Sequence, residues 1–468
     1  MYADLVVQNG KLVLPEAGPV KASLIVKDGR VKELAPPGKE PPAFKILDVN
    51  GCTVLPGVID PHVHYGMMLP LNDRIRSESA FGISGGVTTF IRYFRRPEPY
   101  LFLMDEQIEL GNKLHYQDYA FHLSLLNSTQ VAELDEYVKC FGITSFKIYM
   151  NLKGKLGHGL LSDLRPGSDR LEPCNAEFSM AHLYEIFRAA AQLPARVRLS
   201  IHCEDGEILC HEIDRVRRLG LEGLSAWHCA CPDISEALTI SQVALLSREN
   251  KVPIYFPHIG SRGAIRALIQ ERASGTDFVA ETTPHYLTQT TDSHAGVLAK
   301  IMPPIRTTDD QKAIWKALHD GLIESIGSDH VAYTLSEKNP GDIWTTKAAF
   351  AGTGLILPLL VSEGLNRNRI SLQQLSRITS YYAAKAFGLY PQKGTLLPGA
   401  DADFVVIDQD RKWRVAATDL LTASDFSIYE GMEIQGAVKS VFVRGTKVFE
   451  DGQVLGKPGY GQYLRRTS

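Results

Sequence analysis

Residues 53–64, TVLPGVIDPHVH, combine a short apolar run with two histidines at its downstream end. Four later stretches have the same construction: TSFKIY (144–149), VRLSIHCE (197–204), VPIYFPHIG (252–260) and LIESIGSDH (322–330). Apolar runs of this length indicate buried strands, so a polar residue stands at or just beyond the C-terminal end of each strand. These residues are His62, His64, Lys147, His202, His258 and Asp329. Parallel barrels build their active sites at this face, and imidazoles with a carboxylate suit divalent metals, which predicts a metal-dependent hydrolase.

Between residues 53 and 390, apolar strands alternate with segments of helical periodicity, such as those at 179–193 and 234–250. Eight strands with intervening helices predict an α/β fold, a (β/α)8 TIM barrel. The predicted strands are 53–59, 87–92, 119–125, 144–149, 197–202, 252–257, 277–281 and 322–327. A doubly wound open sheet is the alternative, but it would gather ligands at one switch point and not around a ring.

Both ends of the chain have a different pattern. The first fifty residues and the last seventy contain short β-rich runs broken by glycine turns such as NG and DG, which are strong hairpin signals. Neither end has enough strands to bury a face alone, so the two are expected to form one small β-sandwich. The predicted domains are 1–52 and 391–468 for the sandwich and tail, and 53–390 for the barrel.

A polar, glycine-rich insert follows the lysine strand at 151–175. Inserts of this length in compact domains are commonly lids or substrate loops, so we expect it to cover the mouth of the barrel.

His62 and His64 are two residues apart in an extended segment, so both side chains project to the same side. Such a pair alone is as compatible with buried structural histidines as with a metal site. His202 and His258 end successive strands and would hold a second ion. All six residues at strand ends, in this order, favour the metal site.

Lys147 lies inside an apolar strand, where an unpaired ammonium would be costly. One interpretation is a buried lysine paired with a carboxylate. The other is a carbamate, formed when the neutral amine adds carbon dioxide, which can bridge two cations. The sequence leaves both open.

Composition narrows the classes of partner. The formal net charge is -3 and no long basic block occurs, so neither nucleic acid nor an anionic membrane is expected. The short cluster Arg92, Arg95 and Arg96 is expected to be a solvated loop or part of a pocket rim. Seven cysteines without a repeated CxxC pair indicate free thiols and a reducing compartment. With no signal-peptide pattern and no long apolar run, a cytoplasmic location is predicted.

Taken together, the motifs resemble the amidohydrolase superfamily, specifically the hydantoinase and dihydropyrimidinase family with its allantoinase relatives. The resemblance covers nearly the whole chain. The resemblance rests on the motifs VLPGVIDPHVH, GGVTTF, SFKIYM, IHCEDGE, ETTPHYLT, KIMPPIRT, IGSDH, LYPQKGTLLPGADADFVVID, YEGMEIQG and GYGQYLRR.

The resemblance implies two Zn²⁺ per chain, with Mn or Co as substitutes, bridged by an N6-carboxylated Lys147. His62, His64, Lys147 and Asp329 would hold the more buried ion, and Lys147, His202 and His258 the more exposed one. The metals would activate a water for attack on the amide of a small cyclic substrate, with Asp329 moving the proton to the leaving nitrogen. The resemblance also implies a homotetramer or homodimer, with the C-terminal tail in subunit contacts.

Departures from the family's pattern fall where substrate is expected to bind. Family members commonly have a tyrosine five residues after the bridging lysine; here that position is Leu152, and the nearest tyrosine is Tyr149. The residue before the Pro-Pro pair is Met302, and His285 is expected to support a ligand or the substrate. Together with Met67 at the mouth, Leu152 favours an apolar ring substituent.

Three alternatives to a hydantoinase or dihydropyrimidinase stay open. The first is an allantoinase, and the second is a hydrolase of another lactam or imide. The third is a non-enzymatic scaffold of the collapsin-response-mediator type, which shares the architecture but lacks metal ligands. The intact ligand set disfavours the scaffold.

Overall fold

The computed structural model describes residues 2–152, 154–157, 160–174, 176 and 178–466. Its strands are, in chain order, β1 (Ala3–Gln8), β2 (Lys11–Leu14), β3 (Gly18–Val20), β4 (Ser23–Lys27), β5 (Arg30–Ala35), β6 (Ala43–Asp48), β7 (Thr53–Pro56), β8 (Val58–Val63), β9 (Val87–Phe94), β10 (Asp118–Ser124), β11 (Ser145–Tyr149), β12 (Leu160–Leu161), β13 (Pro173–Cys174), β14 (Arg198–His202), β15 (Ile254–Phe256), β16 (Phe278–Thr282), β17 (Ser325–Ile326), β18 (Phe404–Arg414), β19 (Glu433–Val443), β20 (Thr446–Glu450) and β21 (Gln453–Val454).

Helices connect the barrel strands and cover the outside of the sheet. They are α1 (Leu71–Ser84), α2 (Met104–Leu114), α3 (Ser128–Ala132), α4 (Leu134–Phe141), α5 (Met180–Ala191), α6 (Gly206–Arg218), α7 (Gly223–Ala230), α8 (Asp233–Asn250), α9 (Arg262–Ala273), α10 (Pro284–Thr288), α11 (Thr308–His319), α12 (Leu335–Lys338), α13 (Ile356–Leu360), α14 (Leu372–Ser376) and α15 (Tyr382–Ala386). Side-chain caps fix several starts; for example, Asp205 accepts from the backbone of the first turn of α6, and Thr307 forms a capping box on α11.

The central sheet is an eight-stranded parallel barrel. Its strand order is β8, β9, β10, β11, β14, β15, β16 and β17, which is the order of the chain. The first and last strands meet through a bridge between Val63 and His330, and the His64 amide donates to the His330 carbonyl at 2.8 Å. The sheet confirms the predicted (β/α)8 barrel. Most of its strands lie close to the predicted ones because they are buried and mostly apolar, as strands of a parallel sheet are.

One predicted strand is wrong at its start. Residues 53–59 were expected to form a single barrel strand, but the chain changes sheets at Gly57. Thr53–Pro56 pairs with β18 and β2, whereas Val58–Val63 pairs with β9. A Cβ on Gly57 would lie 2.1 Å from Thr88 Oγ1, so the close approach of the two sheets requires glycine here.

The chain ends form a β-sandwich, as expected. One sheet has the order β5, β4, β1, β6, and the other has the order β21, β20, β19, β18, β7, β2, β3. Leu5, Leu24 and Val54 pack between them with Phe404 and Phe442, whose rings stack at 4.2 Å. The exact division at residues 52 and 390 stays a prediction.

The C-terminal tail packs on the barrel of its own chain. The Leu464 amide donates to the Tyr119 carbonyl at 2.8 Å, and Arg466, which is buried, donates to Ser145 Oγ at 2.5 Å. The tail thus contacts the opposite end of the barrel from the strand ends that carry the predicted metal ligands. Among the helices of the described ranges, none is both long and apolar enough to cross a bilayer.

Candidate metal centre

A cavity of about 170 Å³ opens at the C-terminal ends of the barrel strands. All of the predicted metal ligands and all of the predicted substrate contacts line it: His62, His64, Lys147, His202, His258, Asp329, Tyr149, Leu152 and Met302. Because parallel strands end together, residues that are up to 267 positions apart in sequence meet here.

One end of the cavity has the donors for a cation. The ligand atoms of His62, His64 and Asp329 lie within 4.8 Å of one another, with Asp329 Oδ1 at 3.1 Å from His62 Nε2 and 3.5 Å from His64 Nε2. His62 Nδ1 meets a second carboxylate, Glu281 Oε1, at 2.7 Å. Burial disfavours a charged His62, but these two carboxylates outweigh burial and raise its pKa to about 9. The carboxylates therefore attract positive charge to the space between His62 and Asp329, which is where a metal ion would be held.

The backbone around Asp329 is held in an uncommon conformation. Asp329 has a φ of 51° and His258 a φ of 43°, in the left-handed region that non-glycine residues rarely adopt. Hydrogen bonds hold both residues in place: the Ser328 amide donates to Asp60 Oδ1 at 3.1 Å, and the His258 amide donates to Glu281 Oε1 at 3.0 Å. This strain aims the two side chains into the cavity, as is common at functional sites.

Lys147 is buried without a counter-charge in contact. Its Nζ has no hydrogen-bond partner among the described residues and lies 4.7 Å from the centre of the Tyr93 ring. Burial lowers the pKa of Lys147 to about 8, so part of the amine is neutral near neutral pH. Within the described residues, the interpretation of Lys147 as one member of an ordinary buried ion pair is therefore wrong. An orphaned, partly neutral amine fits the group that carbon dioxide would modify.

His202 and His258 form the second candidate ligand pair. Their ring centres are 4.4 Å apart, and burial lowers the pKa of His202 to about 3 and that of His258 well below its ordinary value. Both imidazoles are therefore neutral, which is the form that binds a metal. The donor set around Lys147 fits a second cation.

Two buried glutamates orient the histidines, and sequence reasoning did not identify either. Glu204 Oε2 lies 2.7 Å from His202 Nε2, and Glu281 Oε1 lies 2.7 Å from His62 Nδ1. Glu281 as a carboxylate accepts from the His62 Nδ1–H, so Nε2 of that ring, which lies beside Asp329, is the nitrogen available to a metal. Burial raises the pKa of Glu204 to about 8, so its carboxyl group is largely protonated near neutral pH and positions His202 by a hydrogen bond. Glu281 has the same sequence signal as Lys147, a charged residue in an apolar strand, and Glu204 lies two residues after a strand that ends in a predicted ligand.

His285 lies behind the cavity and does not line it. Its side chain is buried, and burial lowers its pKa to about 3. The charge of Asp329 acts on it, and His285 Nε2 has no hydrogen-bond partner among the described residues. This placement is compatible with the expected supporting role.

The predicted substrate contacts all line the cavity. Tyr149 is buried, with its hydroxyl 3.4 Å from Ser124 Oγ, and Met302 Sδ lies 3.1 Å from Asn151 Nδ2. The Leu152 amide bonds the Tyr149 carbonyl at 3.3 Å, which turns the chain so that both side chains face the cavity.

Comparisons with known proteins agree with this geometry. The model of the amidohydrolase family matches residues 228–448. A D-hydantoinase from Geobacillus stearothermophilus is 30% identical over 98% of this chain and 96% of its own length. An allantoinase from Desulfitobacterium hafniense is 29% identical over 99% of both chains.

A comparison with solved structures also finds hydantoinases. The structure of the L-hydantoinase (dihydropyrimidinase) from Arthrobacter aurescens superposes with a TM-score of 0.89 at 28% identity, covering 99% of this chain and 100% of that one. The amidohydrolase family implies a metal centre, and the His62, His64 and Asp329 group is a place for it. Similarity at this level over the whole length, in sequence and in fold, means that the chain belongs to the hydantoinase family of the amidohydrolases.

Proposed function

We propose that this protein hydrolyses the amide bond of a small cyclic amide or imide, as a hydantoinase or dihydropyrimidinase does. The observation that carries the proposal is the group formed by His62, His64 and Asp329 beside the orphaned amine of Lys147. The names of the similar proteins, two hydantoinases and an allantoinase, support the cyclic substrate class.

The residues divide between two cations, for which we propose Zn²⁺. His62, His64 and Asp329 would hold one ion, His202 and His258 the other, and Lys147, as an N6-carboxylated lysine, would bridge them. Mn or Co could replace zinc because the donor set is nitrogen and oxygen. Bound metals would supply a water of lowered pKa and a polarised substrate carbonyl.

Asp329 is the proposed proton carrier. Burial alone would raise its pKa, but the charge of His62 outweighs burial and holds the pKa below its ordinary value, so the group is a carboxylate at neutral pH. Hydrolysis joins the water oxygen to the carbonyl carbon and breaks the bond from that carbon to the ring nitrogen. Asp329 would accept a proton from the water and return it to the departing nitrogen, so no covalent enzyme intermediate is needed.

The side chains away from the metals would position the ring. Tyr149, Leu152 and Met302 line the cavity, and His285 would support Asp329. The cavity volume of about 170 Å³ favours a compact ring.

The first test measures metal content and ring opening on the same preparation. After supplementation with zinc and bicarbonate, we expect about two metal ions per chain. Turnover is then assayed on 5-substituted hydantoins, dihydrouracil, allantoin and phthalimide. Allantoin as the preferred substrate would identify an allantoinase. Absence of both metal and turnover would contradict the proposal and favour a scaffold.

Asp329→Asn tests the role of the carboxylate. We expect turnover to fall by roughly 10²–10⁴-fold, because positioned general acid–base groups contribute about that much. Metal content should fall far less, since the side-chain oxygen of the asparagine can still coordinate a cation beside the two histidines. Turnover near the wild-type rate would exclude Asp329 as the proton carrier.

We also propose a homotetramer or homodimer in the cytoplasm. Subunit contacts are supported by exposed apolar side chains on α8 and α9, among them Ile234, Leu245 and Ile269. The location is supported by the seven free cysteines, which suit a reducing compartment. Light scattering on the purified protein gives the subunit number; a monomer at micromolar concentration would contradict the assembly.

A further inference from the structure

Three arginines close together in sequence at the end of β9 have different surroundings. Arg92, Arg95 and Arg96 are all buried, so the expectation of a solvated loop is wrong. Arg92 forms an ion pair with Asp163, and Arg96 pairs with Glu98 and Glu172. Within the part of the chain that the structure describes, Arg95 has no ion-paired carboxylate.

The guanidinium of Arg95 is held by neutral acceptors. Its Nη2 donates to the Leu161 carbonyl at 2.6 Å and lies 3.2 Å from Met67 Sδ, and its Nε donates to the same carbonyl at 3.2 Å. The nearby carboxylate of Asp163 is already engaged, since Oδ1 accepts from Arg92 and Oδ2 accepts from the backbone amide of Arg95. A cation that is only 8% exposed and lacks a counter-ion is costly, unless a ligand supplies the negative charge.

Arg95 faces the candidate active site. It lines the same cavity as His64, Lys147 and Tyr149, and its guanidinium carbon lies 5.4 Å from the centre of the Tyr149 ring. The hydrogen bonds to Leu161 fix the head group at the wall formed by β12. The cation is thus preorganised at the wall of the cavity, where a negatively charged group of a substrate could reach it.

We propose that Arg95 is a specificity-determining residue and that the substrate is a cyclic amide whose ring substituent ends in a carboxylate. This inference rests on the proposed function and narrows its substrate class. A carboxylate would supply the missing counter-charge, and the planar guanidinium forms charge-assisted hydrogen bonds with carboxylates in a fixed geometry.

Two other roles for Arg95 predict different results. In the first, the ring substituent of the substrate is uncharged, which the apolar side chains of Met67, Leu152 and Met302 in the same cavity favour. Alternatively, Arg95 only supports β12 through Leu161, in which case its loss should affect every substrate equally.

The test compares two hydantoins of nearly equal shape, one with a 2-carboxyethyl group at position 5 and one with a 2-carbamoylethyl group. For the metal-loaded wild type we expect kcat/KM to favour the carboxylate by about tenfold or more, because charge-assisted hydrogen bonds are the stronger ones. Arg95→Met should reduce this preference to about one or below, because the loss in kcat/KM should be larger for the carboxylate than for the neutral amide. Arg95→Lys should keep part of the preference.

The matched control is Arg165→Met. Arg165 lies in the insert at 151–175, as does Leu161, but it is exposed and pairs with Glu106, so its loss removes one positive charge without changing the lining of the cavity. The preference for the carboxylate should persist in this variant. Thermal midpoints of all variants separate a folding defect from a specificity change.

Two outcomes would overturn the inference while leaving the proposed function intact: equal rates on both hydantoins in the wild type, or the same preference in Arg95→Met. Failure of all cyclic amides to turn over would instead contradict the proposed function. In that case, calorimetry measures the affinities of the wild type for the same two hydantoins. Equal affinities would exclude Arg95 as a specificity-determining residue.

Discussion

At the scale of single residues, the amine of Lys147 is the least ordinary feature of the site. It is fully buried in strand β11 and lacks a hydrogen-bond partner among the described residues, and burial lowers its pKa to about 8. Buried polar groups are nearly always paired, so an orphan of this kind indicates a missing group. The same strand that places Lys147 also places Tyr149, whose ring lies 5.2 Å from the amine.

Lys147→Ala should therefore lose metal and turnover together, because the bridging anion can no longer form. We expect metal content below one ion per chain and activity at background. Elemental analysis and the ring-opening assay measure both, and the mass of the intact wild-type chain should include one added carbon dioxide. Two bound ions in the variant would contradict the bridging role.

Lys338 provides the control for this change. It is as deeply buried, but its amine donates to the Ala349 carbonyl at 2.6 Å and to the Lys300 carbonyl at 3.2 Å. An amine with these partners has no need of a modification. Lys338→Met should keep its metal, even if its stability falls.

At the scale of secondary-structure elements, the junction between β7 and β8 determines how the two folding units join. Gly57 separates them, and its amide donates to the Asp403 carbonyl at 2.9 Å, while Thr88 of β9 lies directly against its Cα. The segment from Thr53 to Val63 therefore takes part in two sheets, and it places His62 near the end of barrel strand β8.

Gly57→Ala should destabilise the fold by about 1–3 kcal/mol, the usual cost of forcing a methyl group into a packed core. Urea denaturation measures the loss. Gly352→Ala is the control, because a Cβ there would have as its nearest neighbour only the Ser328 carbonyl, at 3.9 Å. Equal midpoints for the two variants would mean that the sheets separate easily at Gly57.

At the scale of the whole molecule, a buried charge cluster ties the C-terminal segment to the barrel. Lys393 Nζ lies 2.5 Å from Asp118 of strand β10, 3.0 Å from Asp401 and 2.7 Å from Asp403. Arg444 of the sandwich also pairs with Asp118. The cluster lies at the end of the barrel opposite the cavity, so it contributes to stability and not to chemistry.

Lys393→Met should lower the free energy of unfolding by about 3–5 kcal/mol, because it removes the cation that three buried carboxylates share. Asp118 keeps Arg444 and Asp401 keeps Arg30, but Asp403 has no other ion pair among the described residues. The exposed Lys385→Met should change it by less than about 0.5 kcal/mol. The thermal midpoint reports both. A midpoint for Lys393→Met equal to that of the wild type would show that the carboxylates find another partner.

The barrel, the sandwich and the residues at the strand ends could be predicted from the amino-acid sequence alone. These are properties of short stretches: an apolar run of a given length is a strand, and a polar residue just after it lies at the rim. Lys147 and Asp329 could be selected in this way because each stands out against its own neighbours in the chain.

The partners of these residues could not be predicted from the sequence and became visible in the folded chain. Three examples depend on residues far away in the sequence: the contact of His62 with Glu281, the switch between sheets at Gly57, and the lack of a counter-ion for Arg95 among the described residues. Arg92, Arg95 and Arg96 are indistinguishable as a sequence cluster, yet two are neutralised and one faces the cavity. Burial and pairing are set by the approach of distant strands, and local sequence patterns carry no information about that approach.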